Sequence, residues 1–357
     1  MVPAAGPRDA KIALVGEAPG DQEVREGLPF VGTAGQLLNG MLTEVGIKRE
    51  DCYITNILQE QPTPDAATSA ARNHFGALYE DAGRKQPSGR LLTNVERLKL
   101  ELEDVAPNVI VALGQEPLRW LTGKSGITNW RGSVLEGEGV GKVIPTYHPA
   151  YIARQWDWRP IAVFDLRKAV SEAAFPTIKR RPRNMYIAYE FDRTMEALKA
   201  FQDIGSPCAF DIEVETQQVS SIAFAQSPET ALVIPIWWGL SGSKWSPADE
   251  QLIWEQIGQL FATTPMVGQN VHYDLTYLRL YEVYSRCLYM DTMVAFHVLY
   301  PELPKGLDFM ASLYTDLPYW KGMRTTSDEQ EFYRYNGLDA LATIECAQRI
   351  EEELKEG

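Results

Sequence analysis

Along the first half of the chain, apolar residues come in short unbroken runs separated by longer stretches with a single apolar side. Residues 11–15, 52–57, 109–113 and 143–146 read as strands covered on both faces. Residues 34–45 place Leu37, Leu38, Met41, Leu42 and Val45 on one side of a helix, and 95–105 and 160–173 repeat that spacing. Strand and helix in alternation predict a parallel sheet between two helical layers, an α/β/α domain. The order then changes. Residues 209–214, 219–226 and 231–236 are three successive strands, and helices are expected at 248–262, 273–281, 291–299 and 330–355. That order predicts a mixed sheet with helices packed on it. Between the two patterns, residues 175–184 hold two prolines and four basic side chains, which interrupt any periodic element. The division expected is therefore a domain over 1–176, a basic linker over 177–184 and a second domain over 185–357. The basic run reads as a solvated linker, with a phosphate contact as the other option. Residues 59–93, polar and rich in Ala, Gly and Pro, predict a long loop.

A chain of 357 residues is too long for one ordinary core, since domains usually run ~100–200 residues, and this agrees with the division. Residues 1–11 show neither a basic nor an apolar leader segment. The apolar runs fall far short of the ~20 residues of a membrane helix, so no membrane association is expected. The net charge of −14 is unevenly spread: 19 basic against 22 acidic residues before position 179, and 15 against 26 from there on. A broad basic surface is thus excluded as the main source of affinity for nucleic acid. Carboxylates gathered around divalent cations remain compatible with it. Cys52, Cys208, Cys287 and Cys346 stand far apart, without the clustering a zinc or iron–sulfur site requires. They read as buried free thiols in a reducing cytoplasm.

Candidate chemistry concentrates in the second half. Asp211-Ile-Glu213 lies on an expected strand, where residues two apart point the same way. Two buried carboxylates on one face call for a cation. Asp274 opens a helix after Val267-Gly-Gln-Asn-Val-His-Tyr. Tyr335 and Asp339, four apart on an expected helix, share one side of it. Four carboxylates and a phenol from three segments suit two-metal phosphodiester hydrolysis. Asp291 reads as a helix N-cap or as a supporting acid.

The sequences DIE, NVHYD and YNGLD resemble the three motifs of the DEDD exonuclease superfamily, tyrosine subtype. Their spacing is most similar to the 3′–5′ proofreading domain of family A DNA polymerases, as in phage replication polymerases. The resemblance covers about residues 185–357 and implies an RNase H-like mixed-sheet fold. It implies that Asp211 bridges two divalent cations, Mg²⁺ or Mn²⁺. Glu213 and Asp339 would hold the cation that activates water, Asp274 the second, and Tyr335 would orient the water. Gln269 and Asn270 would contact the substrate strand.

The first half carries Gly16-Glu-Ala-Pro-Gly20, Pro29-Phe-Val-Gly-Thr-Ala-Gly35, Ile54-Thr-Asn56 and His148-Pro-Ala-Tyr151. Alone, a glycine-rich strand–turn–helix unit is common. Together and in this order, the segments resemble the uracil-DNA glycosylase superfamily, especially its family 4, over about residues 10–173. Such enzymes flip a base out of the duplex and cleave its glycosidic bond. The resemblance implies that Phe30 stacks on uracil, Asn56 reads its edge and His148 stabilises charge on the uracil O2. Glu17, with Glu23, would position water or the sugar. The family's cysteines are missing: where it shows Lys-Cys-Arg-Pro, residues 58–62 read Leu-Gln-Glu-Gln-Pro, so no iron–sulfur cluster is expected. Two functional readings follow. One is a bifunctional DNA enzyme of replication and repair; the other is an exonuclease carrying a silent uracil-recognition or scaffold module. Both imply DNA as partner, including single-stranded 3′ ends and uracil-containing strands, with a polymerase domain or subunit beside it. Both imply the cytoplasm of a bacterial or phage-infected cell.

Overall fold

The computed structural model describes residues 1–61, 78–79 and 86–356. Most of the loop expected over 59–93 therefore lies outside the described residues. The chain forms two compact units, Met1–Lys179 and Arg180–Gly357.

The first unit is built on β1 (Ile12–Gly16), β2 (Cys52–Asn56), β3 (Val109–Leu113), β4 (Leu135–Gly137) and β5 (Gly141–Thr146), in the order β2-β1-β3-β5-β4. The first four strands of that order run parallel, and β4 pairs antiparallel with β5 at the edge. Every residue of β1, β2 and β3 is buried, as continuous apolar runs demand when helices cover both faces. The helices are α1 (Asp21–Glu26), α2 (Thr33–Glu44), α3 (Gly89–Val105), α4 (Gln115–Thr122), α5 (Ile127–Trp130), α6 (Pro149–Ile152) and α7 (Arg159–Glu172). α3 starts well before its apolar spacing does, because the Ser88 hydroxyl caps it by accepting from the Leu91 amide.

The second unit contains β6 (Asn184–Ile187), α8 (Phe191–Ile204), β7 (Cys208–Glu215), β8 (Gln218–Ser227), β9 (Thr230–Pro235) and a small hairpin of β10 (Trp237–Trp238) and β11 (Gly242–Ser243). These are followed by α9 (Pro247–Thr263), β12 (Met266–Gly268), α10 (His272–Leu278), β13 (Leu288–Asp291), α11 (Thr292–Leu299), α12 (Leu307–Tyr314) and α13 (Glu329–Glu356). The sheet order is β13-β12-β7-β8-β9-β6, antiparallel from β7 to β9 and parallel outside. Its two faces differ in side-chain size. Phe210, Ile222, Phe224 and Leu232 pack with Ile257 and Phe261 of α9. Ala209, Ala223, Ala225 and Ala231 face Ala340, Leu341 and Ile344 of α13. Small residues let α13 lie close against the strands. Alternation then puts Asp211 and Glu213 on the face that α13 covers.

Besides the two-residue strands β10 and β11, four elements of this unit escape the apolar pattern. β6 is a short edge strand that alternates exposed and half-buried residues and begins at the last residue of the expected linker. α8 buries only Thr194 and Leu198, β13 has no fully buried residue, and α12 offers too short a periodic stretch. The solvated reading of the basic run is corrected at Arg183, which is half-buried and pairs with Asp316 and, at 2.7 Å, with Glu345; Lys179, Arg180 and Arg181 are exposed, Arg181 reaching Glu229 at 2.8 Å. Cys52, Cys208 and Cys346 are buried free thiols, but Cys287 is exposed, against expectation. No helix among the described residues is long and apolar enough to cross a membrane.

Candidate active sites

In the first unit, the chain leaves β1 at Gly16 and β2 at Asn56, two neighbouring strand ends in register. A Cβ on Gly16 would lie 2.3 Å from Asn56 Oδ1 and 2.5 Å from the Phe30 ring, so only glycine fits between them. Phe30 is buried at φ 51°, with its ring centroid 5.9 Å from that of His148. That unusual backbone is held from two sides. Glu23 Oε1 accepts from the Val31 and Gly32 amides at 3.1 and 2.9 Å, its Oε2 accepts from the Gly20 amide, and Arg49 donates to the Pro29 carbonyl. Glu23 thus spends its carboxylate on shaping the loop. Asn56 Oδ1 is buried with no hydrogen-bond partner, an orphan acceptor of the kind a ligand donor satisfies. Its backbone is clamped by Arg97 of α3, which donates to the Asn56 and Ile57 carbonyls at 2.8 and 2.7 Å and pairs with Glu101.

His148 sits after β5 and caps α6: its Nδ1 accepts from the Ala150 amide at 3.1 Å. Acceptance at Nδ1 leaves the proton on Nε2, free to donate. Burial, with Arg154 adding to it, pushes the His148 pKa down to about 4. The imidazole is therefore neutral near pH 7. Behind it, the buried Arg131–Asp165 pair accepts a third member at 2.7 Å, the Thr146 hydroxyl, and fixes the end of β5. Glu17 and His148 meet across Gly114 (φ 106°), whose Cβ would stand 3.0 Å from Glu17 Oε1 and 3.2 Å from His148 Cβ. A cleft of about 640 Å³ opens there, lined by Glu17, Gly114, His148, Tyr151 and Arg154. Arg154, exposed on that rim, was not foreseen; a basic residue one turn beyond HPAY was the available signal.

In the second unit, carboxylate oxygens of Asp211, Glu213 and Asp339 all lie within 4.8 Å of one another. The first two come from β7 and the third from α13. Tyr335, one turn earlier on α13, and Asp274 of α10 line the same cleft of about 470 Å³. Asp274 stands outside the tight trio, its Oδ1 accepting from the Ile212 amide at 3.2 Å. Burial and mutual repulsion raise these acids. Glu213 is pushed up to about 8 by burial and then by Asp339; Asp274 reaches about 7, mainly by burial. Asp211 is raised by burial and its three acidic neighbours, and Tyr335 by burial and Asp339. An all-oxygen set that costs this much to ionise fits a hard divalent cation such as Mg²⁺ or Mn²⁺.

Four of the five letters of the YNGLD segment have a physical reason. Asn336, unnoticed in the sequence, donates to Asp211 Oδ2 at 2.7 Å and accepts from the Ser221 hydroxyl at 2.8 Å, which fixes the Asp211 carboxylate. A Cβ on Gly337 would come within 2.8 Å of Met185 Sδ and 2.9 Å of Val233 Cγ2. Lys321 and Trp320, also unforeseen, reach Asp339: Lys321 Nζ lies 2.6 Å from Oδ2 and Trp320 Nε1 donates to Oδ1 at 2.7 Å. Gln269 lines the cleft but spends its amide on the Lys305 carbonyl and the Thr292 hydroxyl. Asn270 takes a left-handed φ of 54°, which asparagine tolerates. Asp291 caps α11 through the Met293 amide at 2.9 Å and accepts from the Asn270 and Val271 amides.

Fold and side chains together define a parallel-sheet α/β/α unit followed by a mixed-sheet unit that gathers carboxylates in a cleft. The family model of the uracil DNA glycosylase superfamily matches residues 3–172. The type-4 uracil-DNA glycosylase of Thermotoga maritima is 38% identical over 174 residues, 46% of this chain and 79% of that protein. The chain belongs to the uracil DNA glycosylase superfamily. A DNA polymerase of Bacillus phage SP01 is 27% identical over 219 residues, 59% of this chain and 21% of that protein, so the chain spans about a fifth of its length. Among solved structures, the EXD2 exonuclease domain soaked in Mn and GMP aligns at 16% identity with a TM-score of 0.26, covering 48% of this chain and 93% of that one. The iron–sulfur group that family 4 resemblance implies does not fit. A 4Fe–4S cluster takes four thiolates, and the first unit has one cysteine, Cys52, buried on β2 with its thiol pushed up to about 11 by burial.

Proposed function

We propose that this protein is a two-activity DNA-processing enzyme: a 3′–5′ exodeoxyribonuclease in its second unit and a uracil-DNA glycosylase in its first. The observation that carries the nuclease reading is the trio Asp211, Glu213 and Asp339, whose oxygens converge within 4.8 Å in an open cleft. Asp211, Glu213, Asp274 and Asp339 would hold two divalent cations. When bound, these supply an acidified water and take up charge on the phosphoryl oxygens. Asn336 keeps Asp211 aimed into the cleft. Burial and Asp339 hold the Tyr335 pKa up, so its hydroxyl is protonated in the cation-free cleft and would orient the water as a donor. The 3′–5′ polarity rests on the resemblance of the three motifs to proofreading domains.

For the first unit, the supporting features are an orphan acceptor on Asn56 and a neutral donor on His148, with Phe30 near both. Asn56 Oδ1 takes an imide N–H, Phe30 covers the base, and His148 Nε2–H donates to the O2 on which charge builds as the glycosidic bond breaks. Glu17, beside His148, positions the water or the sugar.

One substrate separates the two activities: a 5′-labelled single strand with one internal uracil, incubated with Mg²⁺ or with EDTA and then treated with alkali. A break at the uracil in EDTA together with a 3′ ladder only in Mg²⁺ is expected. A ladder without the break leaves the first unit as a uracil reader or scaffold, and neither product refutes both assignments.

A further inference from the structure

Among the described residues two basic side chains reach the acidic trio, and Lys321 is the nearer, with nothing in the motifs to account for it. Its ammonium lies 2.6 Å from Asp339 Oδ2 and 3.1 Å from the Tyr335 hydroxyl. Trp320, buried, holds the other Asp339 oxygen at 2.7 Å. The two neighbouring residues thus occupy both oxygens of a carboxylate that belongs to the cation cluster. Arg324, on the same turn, stands 3.9 Å from Glu213 Oε2.

We infer that Lys321 gates the cluster: its ammonium and an incoming divalent cation compete for the same Asp339 oxygen, and the displaced ammonium becomes a contact for substrate phosphate. This rests on the cation-binding reading above. A divalent cation needs the oxygen at ~2.0–2.6 Å, which brings it within a few ångströms of the ammonium, where the two positive charges repel and each weakens the other's hold on the oxygen. The exchange needs little motion. Trp320 anchors the backbone, so only the flexible four-carbon stem of Lys321 swings. That side chain keeps 24% of its surface exposed and already lies along the cleft wall, 5.0 Å from the Tyr335 ring. The charge stays in the cleft after the swing, next to Arg324, where a phosphodiester would meet both.

The test is Mn²⁺ titration of the intact chain, read by the loss of the free-ion electron paramagnetic resonance signal, for the parent protein, Lys321→Gln, Lys321→Met and Asp211→Asn. Both Lys321 variants are expected to bind Mn²⁺ about tenfold tighter, about 1.4 kcal/mol, at unchanged stoichiometry. At saturating Mn²⁺ they are expected to degrade single-stranded DNA more slowly with a raised KM. A merely structural lysine gives the opposite sign, since loosening the cluster weakens Mn²⁺. Unchanged or weaker binding in both folded variants overturns the gate while leaving the cation site standing. Parent and Asp211→Asn titrating alike overturns the cation site and the gate with it.

Discussion

At the level of single residues, the histidine of the first unit makes a claim about pH. An ordinary histidine would gain charge below its usual pKa of about 6.5. His148 does not until about pH 4, because burial and Arg154 disfavour the imidazolium. Its Nε2–H donor is therefore already present throughout the neutral range. Uracil release is expected to show no inflection from His148 between pH 8 and 5.5; one near 6.5 that vanishes in His148→Asn would contradict the neutral-donor role. The linkage runs the same way. The unfolded chain takes up a proton below 6.5 that the folded chain refuses until about 4, so this group's contribution to stability is lost as pH falls through that window. Gly16 makes a steric claim. Gly16→Ala puts a methyl 2.3 Å from Asn56 Oδ1 and 2.5 Å from Phe30, and is expected to cut uracil release by ~100-fold or more, the scale of losing a polar contact made in the transition state. A far-ultraviolet spectrum identical to the parent's, with release unaffected, would remove Gly16 from the pocket wall.

At the level of elements, α3 and α13 each carry a site by backing a strand. Arg97 of α3 binds two successive carbonyls at the end of β2 and so aims Asn56. Arg97→Ala is expected to lower stability by about 1.5–3 kcal/mol, the usual worth of hydrogen bonds from a charged donor, and to weaken uracil handling, with partial rescue in Arg97→Lys. Urea unfolding beside a uracil-release assay checks it, and an unchanged midpoint would show the clamp to be idle. On α13, Gly337→Ala drives a methyl into Met185 and Val233. The helix must lift, at a cost of about 1–3 kcal/mol, and Tyr335 and Asp339 lift with it, so nuclease activity should fall more than stability does. These effects also mark how far the sequence could be read. β1, β2, β3 and β5 of the first unit and β7 to β9 were legible because their apolar residues form buried runs, whereas the three-residue edge strand β4 was too short to show. The motif acids were legible because strand alternation and helical spacing fix which side they share. Lys321, Asn336 and Arg97 were not, because each acts on a partner brought near only by the fold: Lys321 and Asn336 on Asp339 and Asp211, Arg97 on the backbone after β2. β6 was hidden by its basic surroundings, whose charges are neutralised by Glu229, Asp316 and Glu345, acids that lie far away in sequence.

At the level of the whole chain, each unit owns a core and a complete set of candidate site residues. Phe30, Asn56, Glu17 and His148 lie before Lys179; Asp211, Glu213, Asp274, Tyr335 and Asp339 lie after Arg180. Their electrostatics differ in kind. The chemistry proposed for the first unit uses a neutral imidazole and an amide and calls for no cation. The second carries most of the net negative charge and a trio of acids that repel one another, so on the proposed reading cations would bear on both its stability and its chemistry. Produced separately, residues 1–179 and 180–357 are expected to fold, each with a single cooperative thermal transition. The first piece should release uracil equally in Mg²⁺ and EDTA. The second should shorten DNA from its 3′ end only with Mg²⁺ or Mn²⁺, and should unfold at a higher temperature as either cation is added. If instead the first piece loses uracil release on chelation, or the second melts at the same temperature with and without cation, the assignment of cation dependence to the carboxylates of β7 and α13 is wrong.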